Sequence, residues 1–360
     1  EIFLVFSFST GHDELVSVDN NDVIARVDVR CVFRLVFATE SESDFSGKAA
    51  DNLIGCINHV PFTLHFKRLG REGFHYYSLL IDGVAVADPG SETFYGMGRM
   101  ASGIEVPFKG GEYYALKDVP HGDIRMKRYY SEVSRSWRRF FVYTPAGYDT
   151  HTAEKYPVLY LLHGGGEDER GWATQGKTDL IMDNLIAEGK AKPMLIVMLD
   201  GNMPSAGFNA GALKAFEAEL MQTVIPFVED NYRVRKEADS RALAGLSMGG
   251  IQTLYAGLYH TDLFAHLGVF SSGWLPFYQK VADDQYEFIN KNKAAIDSQL
   301  RLLWIAMGGK EDIAYQNCQN MLKEFDTIKL KYTYSEYPGG HTWPVWRNNL
   351  YNFAQLLFNK

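Results

Sequence analysis

The chain has 360 residues, of which 46% are hydrophobic and 22% charged, and its formal net charge is −8. This length suggests two domains, and the acidic balance argues against nucleic acid or an anionic membrane as the main partner. Three cysteines without a Cys-x-x-Cys pair argue against a disulfide framework or a zinc site, although one Cys31–Cys56 bridge stays open. No apolar run reaches the roughly 20 residues that span a bilayer, and no feature indicates an obligate protein partner.

Residues 1–118 predict an all-β domain. The opening run Ile2–Phe6 follows Glu1 rather than a basic segment, so it predicts a strand and not a signal peptide. The segment Tyr76–Val86 predicts a hairpin with an Asp82-Gly83 turn. Strand-like runs separated by turn signals predict a small immunoglobulin-like β-sandwich, with strands at Val23–Phe37, Phe62–Phe66, Tyr76–Ile81 and Val84–Ala87.

Residues 119–360 alternate strand-like and helical runs, which predicts an α/β domain with a mostly parallel sheet. The predicted strands are Arg139–Thr144, Val158–Leu162, Met194–Leu199, Arg241–Gly245, His266–Phe270, Leu302–Met307 and Lys331–Glu336. The predicted helices are Asp179–Glu188, Ala212–Asn231, Gly250–His260, Tyr315–Phe325 and Val345–Phe358. Because sites in such sheets form at the carboxyl ends of strands, the residues that follow each strand are the candidates for chemistry.

A Gly-Xaa-Ser-Xaa-Gly motif, Gly245-Leu246-Ser247-Met248-Gly249, lies between a predicted strand and a predicted helix. A serine on such a sharp turn projects its hydroxyl out of the sheet, as a nucleophile does in α/β-hydrolases. A serine nucleophile needs a histidine base and a carboxylate, which follow it in the order acid and then His in this type of sheet. His341 follows the last predicted strand and is the candidate base. Asp312, after the Leu302–Met307 strand, is the candidate acid, with Glu311 as the alternative.

The tetrahedral intermediate of ester hydrolysis needs backbone N–H donors for its oxyanion. The loop His163-Gly164-Gly165-Gly166 follows a predicted strand, and Gly165 and Met248 are the predicted donors, whereas His163 is expected to be structural rather than catalytic. The aromatic residues near these motifs are Trp172, Phe208, Trp274, Phe277, Trp343 and Trp346, and of these we predict Trp172 and Trp343 to line the substrate pocket. The sequence shows no metal-ligand cluster, and serine chemistry requires no cofactor.

Four ordered motifs of residues 119–360 resemble carbohydrate esterase family 1, which contains feruloyl and acetylxylan esterases of the esterase D type. They are Leu161–Gly166, Asp183–Lys190, Ala244–Gly250 and Gly339–Trp346. The resemblance implies an α/β-hydrolase fold, Ser247 as nucleophile, Asp312 as acid, His341 as base, and Gly165 and Met248 as the oxyanion hole. Residues from about Leu64 to Gly122 resemble a family 48 carbohydrate-binding module, on Gly73–Tyr77, Ile81–Pro89 and Asp118–Gly122.

This two-domain resemblance implies a secreted or periplasmic bacterial enzyme that acts on plant arabinoxylan. The leading interpretation is a serine carboxylesterase that releases ferulic acid from feruloylated arabinoxylan or xylo-oligosaccharides through an acyl-enzyme. An acetylxylan esterase with the same triad is the first alternative, and an S-formylglutathione hydrolase is a weaker one. A non-catalytic xylan-binding protein is the alternative from a different class.

Overall fold

The structure, a computed structural model, describes residues 2–4, 23–27, 62–66, 72–81, 84–107, 109–204, 207 and 209–359. The Cys31–Cys56 pair, Phe208 and most of the predicted Val23–Phe37 strand lie outside these residues. The chain divides into two compact units, Glu1–Gly111 and Glu112–Lys360, called unit 1 and unit 2 below. Within the described residues, no helix combines the length and the apolar character needed to cross a membrane.

Unit 1 contains seven described strands. They are β1 (Ile2–Leu4), β2 (Val23–Val27), β3 (Phe62–Phe66), β4 (Gly73–Ile81), β5 (Val84–Val86), β6 (Thr93–Gly96) and β7 (Arg99–Val106). One sheet has the order β1-β4-β7-β6 with β5 paired to β4, and β2 pairs with β3 in a second ladder. The strand pairing of the predicted hairpin is confirmed, because Leu79 pairs with Val86 and Ile81 with Val84 in antiparallel register, whereas the predicted Asp82-Gly83 turn lies outside the described residues. The immunoglobulin-like sandwich stays a prediction.

The turn at Asp88-Pro89-Gly90, which the sequence indicates, is fixed by one buried carboxylate. Oδ1 of Asp88 accepts the Gly90 N–H at 2.7 Å, and Oδ2 accepts the Tyr77 hydroxyl at 2.7 Å. The Asp88 N–H in turn donates to the Ser102 hydroxyl at 2.7 Å. An aspartate that bonds to the backbone two residues on stabilises a turn, and here it also ties the turn to β4 and β7.

Unit 2 is built on one mixed sheet of eight strands with the order β15-β14-β13-β12-β10-β11-β9-β8. The strands are β8 (Asp123–Ser131), β9 (Ser136–Thr144), β10 (Val158–Leu162), β11 (Leu195–Leu199), β12 (Arg241–Leu246), β13 (His266–Phe270), β14 (Leu302–Met307) and β15 (Thr333–Glu336). The six strands from β15 to β11 run parallel, and β9 is antiparallel to both β11 and β8. All seven predicted strands are confirmed with small shifts at their ends, whereas β8 was not predicted.

Eight α-helices are described in unit 2. They are α1 (Thr178–Ala187), α2 (Ala210–Glu219), α3 (Ile225–Asn231), α4 (Met248–Tyr259), α5 (Gln279–Lys291), α6 (Lys293–Gln299), α7 (Tyr315–Thr327) and α8 (Trp343–Leu356). The predicted helix Ala212–Asn231 contains a π turn at Leu220–Val224, between α2 and α3. Pro226 follows directly and cannot donate a helical hydrogen bond, so wider turns before it accommodate its ring. Helices α5 and α6 were not predicted.

The centre of the sheet is buried on both faces. Every residue of β10, β11, β12 and β13 is buried, which explains why these strands read as continuous apolar runs rather than alternating ones. Tyr143 of β9 donates to Asp183 of α1, whereas the Phe140 ring packs against Phe227 of α3. Since Tyr143 and Phe140 are three residues apart on one strand, α1 and α3 cover opposite faces.

The first residues of unit 2 are held by α1. Asn184 Nδ2 donates to the carbonyls of Tyr113 and Ala115 at 3.0 and 2.9 Å. Asp183 accepts the Gly122 N–H at 2.9 Å and lies 2.8 Å from His121 Nδ1. These contacts place the segment before the predicted boundary at residues 118 and 119 with the α/β unit, so the structural division falls earlier in the chain.

Candidate active site

Ser247 occupies the sharp turn between β12, which ends at Leu246, and α4, which begins at Met248. Its backbone has φ 50° and ψ −113°, a strained conformation for a residue with a Cβ. Its N–H donates to the Phe270 carbonyl at 2.9 Å, and its carbonyl accepts the Ser272 hydroxyl at 2.7 Å. These bonds hold the strained turn, while the Ser247 side chain makes no capping bond to α4. The hydroxyl is therefore presented at the carboxyl edge of the sheet.

The two glycines that flank Ser247 in the motif are required by close packing. A Cβ on Gly245 would lie 2.5 Å from the backbone of Gly249 and 2.8 Å from the Cβ of Leu162. A Cβ on Gly249 would lie 2.6 Å from the His163 carbonyl oxygen. Larger residues would push α4 away from β10, so the Gly-Xaa-Ser-Xaa-Gly pattern is explained by the approach of helix to strand.

Asp312 and His341 meet at the same edge, where they follow β14 and β15. His341 Nδ1 and Asp312 Oδ1 are 2.8 Å apart, and the Ala314 N–H donates to the same carboxylate oxygen at 2.9 Å. The Asp312 side chain is fully buried, and that of His341 is 17% exposed. Burial acts to raise the pKa of Asp312, but the hydrogen bond and charge of His341, together with the Ser271 hydroxyl and the Ala314 N–H, outweigh it and hold the pKa below its usual value.

The other carboxylates between Ser247 and His341 are placed differently. Glu311, the alternative acid, is exposed, and it is Asp312 that bonds to His341. Asp283 and Asp284 lie on α5, and Asp297 on α6 pairs with Lys293 before β14 begins. The geometry thus selects Asp312 among the candidates that the sequence offered.

The glycine loop after β10 is anchored by the buried side chain of His163. Its Nδ1 lies 2.8 Å from the Gly164 carbonyl, and its Nε2 accepts the Gly201 N–H at 3.0 Å, which assigns the ring proton to Nδ1. The His163 carbonyl also accepts the Gly249 N–H at 3.1 Å. One residue therefore connects the loop to the end of β11 and to the first turn of α4. Sequence reasoning predicted this structural role rather than a catalytic one.

The two predicted oxyanion donors lie on either side of Ser247. Gly165 is exposed in the loop, and the neighbouring Gly164 is so near that a Cβ on it would lie 3.3 Å from the Ser247 Cβ. Met248 is the first residue of α4, where backbone N–H groups have no acceptor within the helix. That these two N–H groups form the oxyanion hole stays a prediction.

Trp172 and Trp343, predicted to line the pocket, are instead buried in the core. They are 1% and 2% exposed, and their rings pack edge to face with centroids 5.3 Å apart. Both indole N–H groups are satisfied internally, that of Trp172 by the Leu162 carbonyl and that of Trp343 by the Glu167 carboxylate, each at 2.9 Å. The prediction was wrong for this reason: the two rings support the loop after β10 from below and present no open face to a substrate.

The remaining aromatic candidates also separate by burial. Trp274 and Trp346 are buried, whereas Phe277 in the loop after β13 is 61% exposed. The Trp346 ring contacts the His341 ring edge to face at a centroid distance of 5.1 Å. Among the described residues, no group of three or more His, Cys, Asp or Glu side chains could hold a metal ion.

Comparison with known proteins identifies the family. The Esterase family model matches residues 131–355, which is more than half of the chain. The chain belongs to the Esterase family. Its fold in unit 2 is that of the α/β-hydrolases, and the predicted class of enzyme, a serine carboxylic ester hydrolase, is confirmed by this membership and by its similarity to a solved ferulic acid esterase.

Two of the curated relatives are xylanases by name. The esterase is 36% identical over 300 residues to an endo-1,4-beta-xylanase/feruloyl esterase of Xylanibacter ruminicola, in an alignment that covers 79% of this chain and 38% of the relative. It is 27% identical over 271 residues to endo-1,4-beta-xylanase Y of Acetivibrio thermocellus, covering 68% of this chain and 24% of the relative. The esterase therefore spans well under half the length of either relative.

A solved structure matches unit 2 closely in fold. It is a CE1 ferulic acid esterase from Anaeromyces mucronatus in complex with ferulic acid, with a TM-score of 0.60 and 26% identity. The match covers 70% of this chain and 96% of that chain.

Sequence reasoning missed two serines that support the site of the esterase. Ser272 donates to the Ser247 carbonyl, and Ser271, also fully buried, contributes to the low pKa of Asp312. A signal was available, because both follow the apolar strand β13 directly and so lie at the edge where the other site residues collect.

Proposed function

We propose that the esterase releases ferulic acid from feruloylated arabinoxylan or xylo-oligosaccharides, with Ser247, His341 and Asp312 as its catalytic triad. The observation that carries the proposal is the His341–Asp312 hydrogen bond at the edge where the strained turn presents Ser247. The substrate class is supported by the feruloyl esterase named in the Xylanibacter relative and by the ferulic acid bound in the solved structure.

In this mechanism the Ser247 oxygen attacks the ester carbonyl carbon while Nε2 of His341 accepts its proton. Asp312 holds the imidazole by Nδ1, so Nε2 is the nitrogen that faces the reaction. The N–H groups of Gly165 and Met248 stabilise the negative charge on the carbonyl oxygen. The tetrahedral intermediate then expels the sugar oxygen, which takes the proton from His341, and leaves a feruloyl ester on Ser247. A water molecule, deprotonated by His341, attacks this ester, and the second tetrahedral intermediate releases ferulate as His341 returns the proton to the Ser247 oxygen.

The proposal includes the setting of the reaction. An enzyme whose substrate is plant cell-wall polysaccharide works where that polymer is, outside the cytoplasm, and we propose a secreted or periplasmic location. We also propose that residues 1–118 form the predicted carbohydrate-binding sandwich, which would hold the esterase on the polymer.

The test is a panel of esters with wild type and Ser247→Ala. We expect wild type to hydrolyse methyl ferulate faster than acetylated xylan, with a burst of product that reports the acyl-enzyme. Ser247→Ala should lower kcat by at least about ten-thousandfold, because the other triad residues cannot replace the nucleophile. Ser298→Ala, an exposed serine on α6, is the matched control and should retain full activity.

Two outcomes would redirect the proposal. Faster hydrolysis of acetylated xylan than of methyl ferulate would favour the acetylxylan esterase, which uses the same triad. Full activity in Ser247→Ala would show that Ser247 is not the nucleophile. If wild type bound xylan but hydrolysed no ester, the chain would be a xylan-binding protein and not an enzyme.

A further inference from the structure

An exposed pair of aromatic side chains lies on the hairpin formed by β8 and β9. Tyr130 and Trp137 face each other directly across the two strands, with ring centroids 5.8 Å apart and planes at 75°. Trp137 is 72% exposed and Tyr130 is 44% exposed. Because the two rings are in contact, they form one contiguous exposed apolar patch, whereas singly exposed apolar residues are normal on a protein surface. The proposed mechanism uses neither residue, so the pair, called the Tyr130–Trp137 pair below, needs an account of its own.

The Tyr130–Trp137 pair lies at the same edge of the sheet as Ser247. Strand register connects Gly245 to Leu162, Leu162 to Leu199, and Leu199 to Phe140, in one row across four strands. Ser247 lies beyond this row in the turn after β12, and Trp137 lies beyond it on the same side because β9 runs in the opposite direction. Three strand spacings separate β12 from β9, which is about 14 Å at 4.8 Å for each spacing.

The pair also lies on the side of the sheet that carries the oxyanion loop. Arg139, two residues from Trp137, projects from the same face of β9, because side chains alternate along a strand. Its guanidinium forms an ion pair with Glu169, which belongs to the loop that contains Gly165. The exposed rings are therefore beside the entrance to the site and not on a remote surface.

The chemistry around the rings suits a sugar chain. Arg128 is exposed directly opposite Arg139, so hydrogen-bond donors flank the rings on the same face of the hairpin. Apolar ring faces beside a few placed polar groups are the usual composition of a site for a small polar ligand. A protein partner fits less well. With about 150–250 Å² for each aromatic side chain, the exposed parts of both rings present roughly 250 Å², well below the roughly 800 Å² of a stable interface.

We propose that the Tyr130–Trp137 pair binds the sugar rings of the polysaccharide main chain while an ester substituent occupies the site at Ser247. The inference rests on the proposed function for its choice of polymer. It adds a binding surface within unit 2 that is separate from any sugar binding by unit 1. A polymer reaches both places because a few sugar units span the distance between them, whereas a small ester reaches Ser247 alone.

The test measures binding apart from catalysis. In a Ser247→Ala background, the full chain is titrated onto arabinoxylan from which the ester groups have been removed, so that neither turnover nor the acyl group contributes. We expect Tyr130→Ala/Trp137→Ala to weaken this binding at least about tenfold, which corresponds to 1.4 kcal/mol. When Trp137→Phe replaces Trp137→Ala in the double variant, part of the lost affinity should return. The matched control is Leu356→Ala, an apolar residue of similar exposure to Tyr130 at the far end of α8, which should bind as the parent does.

A second measurement uses the active enzyme. We expect the double substitution to lower the ratio of kcat/KM for feruloylated arabinoxylan to kcat/KM for methyl ferulate. Circular dichroism and the melting temperature verify that each variant is folded.

Equal xylan affinity in the double variant and the Leu356→Ala control would overturn the proposal. A change in oligomeric mass without a change in xylan affinity would identify a protein interface instead and would also overturn it. If wild type hydrolyses no ferulate ester but the double variant loses xylan affinity, the proposed function fails and the binding surface stands.

Discussion

The edge of unit 2 at which Ser247 lies carries two pairs of aromatic rings with opposite surroundings. Trp172 and Trp343 are almost completely buried, and both indole N–H groups donate to acceptors inside the protein. Tyr130 and Trp137 are exposed on a hairpin that borders the same edge. Both pairs pack edge to face, so the ring contact itself does not distinguish them.

The difference lies in what surrounds each pair. The buried pair underlies the loop after β10, where Trp172 bonds to the last residue of that strand and Trp343 to a carboxylate in the loop. The exposed pair has solvent on one face and charged side chains beside it. A ring near a catalytic motif thus acts on the reaction in two ways, by holding backbone in position or by contacting the ligand, and burial decides between them.

The largest expected effect is on the free energy of unfolding, which should respond differently to substitutions in the buried and in the exposed pair. We expect Trp172→Ala to lower the free energy of unfolding by about 3–5 kcal/mol, since it removes a fully buried ring and leaves a cavity. Trp137→Ala should change it by no more than about 0.5 kcal/mol, as for other surface positions. Urea denaturation followed by circular dichroism measures both. Equal destabilisation by the two substitutions would show that the exposed pair is also part of the core.

The elements at the centre of the sheet could be predicted because their residues face buried surroundings on both sides. Val158–Leu162, His266–Phe270 and Leu302–Met307 have the bounds that the sequence predicts. The order of Ser247, Asp312 and His341 along the chain placed them at one edge by the rule for parallel strands. Local sequence was sufficient here, because burial and strand direction follow from the composition and alternation of elements.

Elements with weaker patterns could not be predicted in this way. β8 alternates exposed charged residues with few buried ones, as an edge strand does, so it lacks an apolar run. α5 buries Gln285, whose amide donates to the Leu254 carbonyl at 2.8 Å, so a polar residue interrupts its apolar face. The direction of the Trp172 and Trp343 side chains depends on acceptors at Leu162 and Glu167, which are distant in sequence, and loop position alone does not reveal it.

A third buried ring, that of His266, makes the stability of the fold depend on pH. His266 is 4% exposed and packs edge to face against Phe358, and burial lowers its pKa from 6.5 to about 4. The unfolded chain therefore binds a proton at His266 more readily, so this contribution to stability is present above pH 6.5 and is lost as the pH falls to about 4. At 1.36 kcal/mol for each pKa unit the loss is about 3 kcal/mol.

The measurement compares wild type with His266→Leu, which cannot titrate at this position, in urea at pH 7, 5.5 and 4.5. We expect the stability of wild type to fall more steeply over this range than that of the variant. Parallel pH profiles would mean that His266 is accessible to solvent, and would weaken the distinction between buried and exposed rings.

The smallest effect probes how the buried pair supports the catalytic loop. Glu167 accepts the Trp343 indole N–H at 2.9 Å, and its own carbonyl accepts the Asn202 side-chain amide at 2.8 Å. Glu167→Ala should cost about 1.5–3 kcal/mol of stability, the range for a hydrogen bond to a charged group, and Glu167→Gln should cost less because it keeps an acceptor. If the buried pair acts by positioning, both variants should lower kcat on methyl ferulate more than they raise KM, because the loop that carries Gly165 is displaced while no contact with the substrate is lost. A change in KM alone would instead indicate that Trp343 contacts the substrate, as the sequence predicted.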